Sequence, residues 1–515
     1  MTVIPDRDVA AGDWLAVDGV KASTAHGTLF FWLLASEICI SLGSTAGTTQ
    51  VYADGGTSIA GALTPQQFGA KGDGVSDDWW AFQQAIDAAA ARPEGGVVLV
   101  SGPPAGPSWR ISQALRMRSR VTLRITENST HIRCTGDADN SGPVDPTQGR
   151  TASLQQWPSY SCVMLGSYEA NDYKQLPSDA ADSVAAGAHE VVLPNASSVN
   201  RYKVGDIVVV ESTSTFDVGK QHLKPTWLQI DQVDDIDAAG RRLVLKYPLQ
   251  NSQNALQVRR LTNTNMNMLN ASDADTNVPM WATYDAAVIG GTWEAVKPHA
   301  PFMGGGGALN CKLQPYAVNA YTGVGYGNLL ARCNLSAESE TITGVPLELA
   351  FGSHDNIVTL NQVTVEKGSG DGPPFKWLFG FDEGAHRNTV HVDALVIGPV
   401  AVEDVILMDR VSGNRITIDS VAGGTITGSI VNLRSWNYAG TPPPTADNII
   451  DVKASALTSQ RAYVTIQGQD TTRNHVLTGK LSGLIQNQAA QSLRIVDAGP
   501  GNAVDAVSGT AIGQK

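Results

Sequence analysis

The chain has little charge, little cysteine and no long apolar run. Asp, Glu, Lys and Arg make up 17% of its 515 residues, where a soluble protein averages about 25%. The 42% hydrophobic content nevertheless excludes a disordered chain. Basic side chains number 36 against 49 acidic ones, a net charge of −13, so the excess and clustering of Lys and Arg that neutralise a phosphate backbone are missing and no nucleic-acid partner is expected. The five cysteines, Cys39, Cys134, Cys162, Cys311 and Cys333, are odd in number and widely spaced. With no Cys-x-x-Cys pair they suggest neither a disulfide framework nor a zinc site, and folding in a reducing cytosol is the simpler reading. The apolar stretch Leu29 to Leu42 is broken by Ser36 and Glu37 and falls short of the roughly 20 residues needed to span a bilayer, so no membrane insertion is expected. Residues Met1 to Asp18 carry Asp6, Asp8, Asp13 and Asp18 against the single basic Arg7, the reverse of a secretory leader's positive start.

Glycine and β-branched residues are what the chain does have. Its 52 glycines lie scattered among Thr, Asn, Ser and Val, a composition of many short strands and turns. An Asn followed by apolar residues two and four positions on recurs at Asn356, Asn388, Asn414, Asn448 and, less cleanly, Asn474, at offsets of 32, 26, 34 and 26 residues. After the first three, a further apolar residue stands seven positions on: Val363, Leu395 and Val421. A repeat of this length whose units cannot bury their apolar faces alone is the mark of a solenoid, and the period-2, β-branched content makes its coils β rather than helical. Stacked coils lie about 4.8 Å apart, so each Asn is placed to bond the Asn of the next coil. The uneven offsets then become loops leaving the stack, where function concentrates.

Other segments punctuate this pattern. Residues 1–62 read as a small module with a Gly/Ser/Thr/Ala linker; within it Gly12 to Val17 alternates as a strand, while Leu29 to Ile40 fits helix or strand. Ser76 or Asp77 is placed to cap a helix from Trp79 to Ala91, with Phe82, Ala85, Ile86 and Ala89 on one face. Strands follow at Val97 to Val100 and, in alternation, from Trp109 to Ile125. Residues 183–250 read as four or five antiparallel strands inserted between coils. The resulting division is 1–62, an attachment module; 63–182, the start of the stack; 183–250, the insert; 251–490, the main stack; and 491–515, a C-terminal segment.

Phe68-Gly69-Ala70-Lys71-Gly72-Asp73-Gly74-Val75-Ser76-Asp77-Asp78, with the Ala-rich helix and Gly95-Gly96-Val97-Val98 behind it, closely resembles the opening of pectate-lyase-like right-handed parallel β-helix proteins, in particular the bacteriophage tailspike and depolymerase branch. The resemblance implies an all-β solenoid whose N-terminal helix plugs the open end of the stack. It also implies a homotrimer, an N-terminal module joined to the phage tail or an adaptor protein, and a bacterial surface polysaccharide as partner. Such a spike folds in the host cytoplasm and acts outside the next cell as part of the virion. The Trp-Ile-Asp-His, Gly-His-Gly and Arg-Ile-Lys elements of pectate lyases and polygalacturonases are absent, so no catalytic residue transfers by motif.

Candidates must therefore come from the residues themselves. Glycoside hydrolysis uses two carboxylates, and one or two coil spacings supply their separation. The alternation in Val345 to Leu349 points Glu348 away from the core, and Asp382 and Glu383 follow about one coil later, with Asp371 between them. Trp377 offers a flat face to a sugar ring, while Lys376, His386 and Arg387 suit an acidic substituent. The plainer reading makes these ordinary solvated loop residues. No metal is expected: His386 and His391 are poorly spaced for one, and Gly304 to Gly307 lacks the Lys-Ser or Lys-Thr of a phosphate loop. No cofactor is expected either. A polysaccharide hydrolase, a non-catalytic adhesin or structural tail protein, and a lyase using His386 or Lys376 as base all remain open.

Overall fold

The computed structural model describes most of residues 59–134, 177–260, 280–295, 325–339, 347–367, 375–435, 444–477 and 493–505, with strand backbones between 14 and 53 and at 163–168. The chain divides into two units, Met1–Ala60 and Gly61–Lys515. In the first, strands Trp14–Val17, Val20–Ala25, Thr28–Leu33, Ile38–Leu42 and Val51–Ala53 form an antiparallel sheet in sequence order. The ambiguous run Leu29 to Ile40 thus falls in two strands. No helix among the described residues is long and apolar enough to cross a membrane.

The second unit opens with a 3-10 turn, Pro65–Phe68, and then helix α1, Trp79–Ala90, which buries Phe82, Ala85, Ile86 and Ala89 completely. Its N-cap is Asp78, one residue later than expected. The Asp78 carboxylate does not cap the helix; it accepts from the backbone N–H groups of Lys71 (2.6 Å) and Gly72 (3.1 Å), closing the preceding turn. Asp77 accepts from Trp79 N at 3.2 Å and from Ser112 N at 3.0 Å, tying the helix start to the first coil. The motif's acids are therefore consumed in building the entry to the stack.

Behind α1 the chain winds into three parallel sheets, as the Asn repeat requires. Sheet 1 holds the strands that follow each Asn, with Ile357, Thr389, Arg415, Ile449, His475 and Ala503 in register. Sheet 2 stacks Leu335, Val363, Leu395, Val421 and Ala454. Sheet 3 stacks Leu347, Phe379, Ile406, Val431, Val464 and Leu493. Each coil visits the sheets in turn, so apolar residues of all three meet along one continuous core. Val363, Leu395 and Val421, picked out by their spacing, are buried in it. The fold is an all-β parallel β-helix.

The corner before sheet 1 is locked by asparagine. Asn388 Oδ1 accepts from Asn356 N (3.1 Å) and Nδ2 (2.8 Å), and Asn388 Nδ2 donates to Asn414 Oδ1 (3.0 Å) and to the Ser353 carbonyl (3.0 Å). Every polar atom of this buried amide is satisfied. The pattern repeats through Asn414, Asn448 and Asn474. It reaches a further rung, Asn502, which sequence spacing passed over. The residue ahead of each ladder Asn is left-handed: Asp355 (φ 53°), Arg387 (53°), Gly413 (65°), Asp447 (58°), Arg473 (53°) and Gly501 (81°). Where these are not glycine, neighbouring coils set opposite charges together, with Arg387 forked onto Asp355 and Arg473 onto Asp447.

The insert is a six-stranded antiparallel sheet in the order Ser178–Ala181, Leu256–Arg260, Ile207–Ser212, Leu228–Asp237, Arg242–Leu245, Glu190–Val192. Two of these strands flank the 183–250 segment; the Ser-Asp-Ala-Ala of the first carries no strand signal. Its own core includes Val191, Val208, Val210, Trp227, Val233 and Leu243.

The ladder makes a direct prediction. Asn414→Ala removes the acceptor shared by Asn388 N and Nδ2, and should cost about 3 kcal/mol, the price of two buried donors left unpaired. Half-buried Thr417→Ala should cost about 0.5 kcal/mol or less. Denaturant unfolding of both variants checks the difference.

Candidate functional site

Sheet 3 places the backbones of Glu348 and Asp382, two of the four acidic residues chosen from sequence, on adjacent rungs. Strand Leu347–Leu349 pairs in parallel with Phe375–Asp382, placing Glu348 opposite Gly380 and two positions short of Asp382. Because side chains alternate along a strand, positions 380 and 382 share a face. On the next rung Asp382 lies opposite Asp409, a residue the sequence reading did not select. A signal was available: Asp409 follows Asp382 by 27 residues, close to the 26-residue step from Asn388 to Asn414.

Arginines knit this pair together. Arg410, nearly buried, donates from Nη2 to Asp382 Oδ1 at 2.8 Å and brings Nε to 3.5 Å from Asp409 Oδ1. Arg434, one rung further, donates from Nε to Asp409 Oδ2 at 3.2 Å. Arg410 N donates to Thr445 Oγ1 at 2.6 Å, and Thr445 Oγ1 donates to the Arg434 carbonyl at 2.6 Å, which fixes both arginine backbones. Burial raises the pKa of Asp409 above the ordinary carboxylate value, and the neighbouring Asp382 adds to the rise, against the pull of Arg410 and Arg434. The Asp382 side chain is 22% exposed and that of Asp409 only 2%. Asp382 is thus the carboxylate of this pair that meets solvent, with a proton-favouring acid behind it.

Trp377 lies on the same strand as Asp382, opposite Asp404. Asp404 is buried and its pKa is raised by that burial, while it accepts from Ser429 N (2.7 Å) and Asn432 Nδ2 (2.9 Å). The backbone of Lys376 belongs to this strand. Asp371 and Glu383 lie outside the described residues.

His386 and Arg387 go elsewhere, into a seam where the insert packs on the coil corner. The sequence reading sets His386 among sugar-facing residues, but in the structure it is 1% exposed. Its ring stacks on His354 at 4.9 Å, and its Nδ1–H donates to the Gly384 carbonyl at 2.8 Å. His354 Nε2 bonds the Ile230 carbonyl of the insert at 2.6 Å, and Tyr247 meets the His354 ring edge-on at 5.0 Å. Arg387 divides its guanidinium between Asp355 and Gln250 of the insert. The close approach needs glycine: a Cβ on Gly352 (φ 67°) would stand 2.5 Å from the Leu228 carbonyl oxygen. The sequence could not reveal this seam, since its partners are more than a hundred residues apart.

Charges in the seam are strongly perturbed. Burial pushes Asp231 up to about 6, against the opposing pull of His354. Burial also acts to raise Asp355, but hydrogen bonds from His354 and Arg387 outweigh it and hold the carboxyl well below its ordinary value. Burial, assisted by Arg387 and His354, keeps His386 neutral far below the usual histidine range.

One His/Asp group among the described residues has the make-up of a metal site: His391, Asp393 and Asp419, on the stack surface. The Lys453 ammonium already stands 2.6 Å from Asp419, and its hydrogen bond is the chief cause of that carboxyl's lowered pKa. A cation there would have to displace or repel this lysine.

No protein-family model and no curated protein matches the sequence. Among solved structures, the chain is similar to the tailspike protein gp49 of Pseudomonas phage LKA1, at 11% identity over 86% of this chain and 84% of that one, with a TM-score of 0.30. It is similar to the gp54 tailspike of Acinetobacter baumannii bacteriophage AP22, solved with a capsular saccharide of that bacterium, at 9% identity, 86% and 79% coverage and a TM-score of 0.32. The tailspike gp61 of Pseudomonas phage phi297 matches at 10% identity, 88% and 81% coverage and a TM-score of 0.35.

The seam gives a pH prediction. A histidine depressed in the folded state contributes stability above its unfolded value, about 6.5, and loses it as pH falls toward the folded value. Asp231 works the other way, since its raised folded value favours the fold on acidification, so the two must be separated by substitution. His386→Ser, which installs the residue found one rung on at Ser412, removes only the histidine's contribution. The wild type should therefore lose stability relative to this variant between pH 7 and 5, measured as the difference in Tm at each pH.

Proposed function

We propose that the chain is a phage tailspike that binds a bacterial surface polysaccharide along sheet 3 and hydrolyses it, with Glu348 and Asp382 dividing the acid and base roles. The observation that carries this reading is their register. One rung across and two residues along separates their backbones by about 8 Å, which suits the ~6.5–9.5 Å carboxyl spacing of an inverting hydrolase, with a water between the two groups. In this scheme Asp382, paired with Arg410, takes the base role and Glu348 the acid role. Lys376, an even number of positions from Asp382 and so on the same face of the strand, is the proposed sugar contact, while Trp377 falls on the alternate positions with Phe379 and Phe381. A lyase is the weaker alternative, because His386, a base it would call on, is sealed in the seam.

In this reading the antiparallel N-terminal unit joins the spike to the tail or an adaptor, and three copies assemble around the long axis. The spike is carried by the virion and works outside the host cell. The motif Phe68 to Asp78, the helix behind it and the wound coils support the reading.

Purified capsule or lipopolysaccharide should release new reducing ends without ultraviolet-absorbing unsaturated uronates. Glu348→Gln and Asp382→Asn should each lower that release by about 10²-fold or more, as expected for loss of a catalytic acid or base, while glycan binding persists. Binding with no new ends from the wild type would establish an adhesin, and full activity in both variants would remove these residues from the mechanism.

A further inference from the structure

We propose that Gln250, in the insert, is a positioning residue for the Asp382–Arg410 pair; this rests on the site just described. The Gln250 side chain spans two successive coils. Its Oε1 accepts from Arg387 Nη1 at 3.0 Å and its Nε2 donates to Ser412 Oγ at 3.2 Å. Those residues end the two turns that begin at Asp382 and Arg410. Within and between the turns, Ala385 N donates to the Asp382 carbonyl (3.1 Å), Gly384 N to the Arg410 carbonyl (3.0 Å) and Ser412 N to the Ala385 carbonyl (3.3 Å). The ion pair therefore sits at one end of a short double turn, and Gln250 staples the other end.

Gln250 is itself held firmly. Its backbone N–H donates to Gln229 Oε1 at 3.1 Å. Gln229 is wholly buried and donates from Nε2 to Asp231 Oδ2 (2.9 Å) and the Pro248 carbonyl (3.2 Å). The staple is anchored in the insert's sheet through Asp231 on the strand Leu228–Asp237. The insert backbone also lies on the first turn directly, since a Cβ at Gly384 (φ 87°) would stand 3.3 Å from the Leu228 carbonyl oxygen. Displacing a catalytic group by about 1 Å costs on the order of 10²-fold in rate, so a staple at the far end of both turns, on Arg387 and Ser412, has leverage over chemistry it does not touch.

Gln250→Met keeps the shape and removes both bonds; Gln250→Glu keeps an acceptor for Arg387 and can accept from the Ser412 hydroxyl. On a capsular polysaccharide that the wild type cleaves, the Met variant should lower kcat about tenfold with KM within about threefold, and the Glu variant should restore kcat. Hydrogen–deuterium exchange over 384–387 and 410–413 should quicken in the Met variant while the rungs at Asn448 and Asn474 keep wild-type protection. Unchanged kcat and unchanged exchange overturn the proposal, as does faster exchange spread evenly along the stack. Should the Met variant fail to fold, Ser412→Ala removes one arm of the staple and is judged by the same measurements. If the wild type cleaves no polysaccharide, the hydrolase reading fails separately, and the exchange pattern alone decides whether Gln250 holds these turns.

Discussion

A buried amide cannot be left without partners, and the rest of this structure depends on how one column of asparagines meets that demand. Each ladder Asn uses its two N–H groups and two lone pairs on the coils above and below, so one amide's satisfaction requires the next coil to be in register. The left-handed residue ahead of each Asn turns the chain into the corner. Its backbone strain is accepted at Asp and Arg as well as at Gly because the corner is held from both sides. Register at the corner then propagates into three sheets, and the apolar core follows from it.

The same register explains where chemistry can occur. Parallel stacking sets residues that are about one coil apart in sequence within a few ångströms of each other, so charges on successive coils must either match or be buried at a cost. At the corner they match, as Asp355 with Arg387 and Asp447 with Arg473. On sheet 3, Asp382 and Asp409 are both acidic and stand side by side, and two arginines are recruited to hold them. An arrangement of like charges that needs such support is more naturally tied to function than to stability, because an apolar pair would fill the place at lower cost.

The insert changes the meaning of the corner beside this pair. Further along, the column carries Ser412, which meets the insert through Gln250, and then the small Ala446. Where the insert docks, the same column carries His354 and His386, stacked and bonded to backbone carbonyls, and the flanking positions are Gly352 and Gly384. The coil has been shaped to receive a second structure, and the polar seam between them fixes one orientation more narrowly than an apolar contact would.

The amino-acid sequence by itself determined the winding of the coils, because the Asn spacing and period-2 apolar pattern are local and repeat. It also made the entry helix legible, through an apolar stripe at helical spacing. The insert's place on the corner, the burial of His386, and the contacts of Arg410 and Gln250 were decided only by tertiary structure. Their contacts join segments whose separation along the chain carries no local signal, and whether a polar side chain meets solvent or a packed seam depends on loops of unequal length folding back onto the stack.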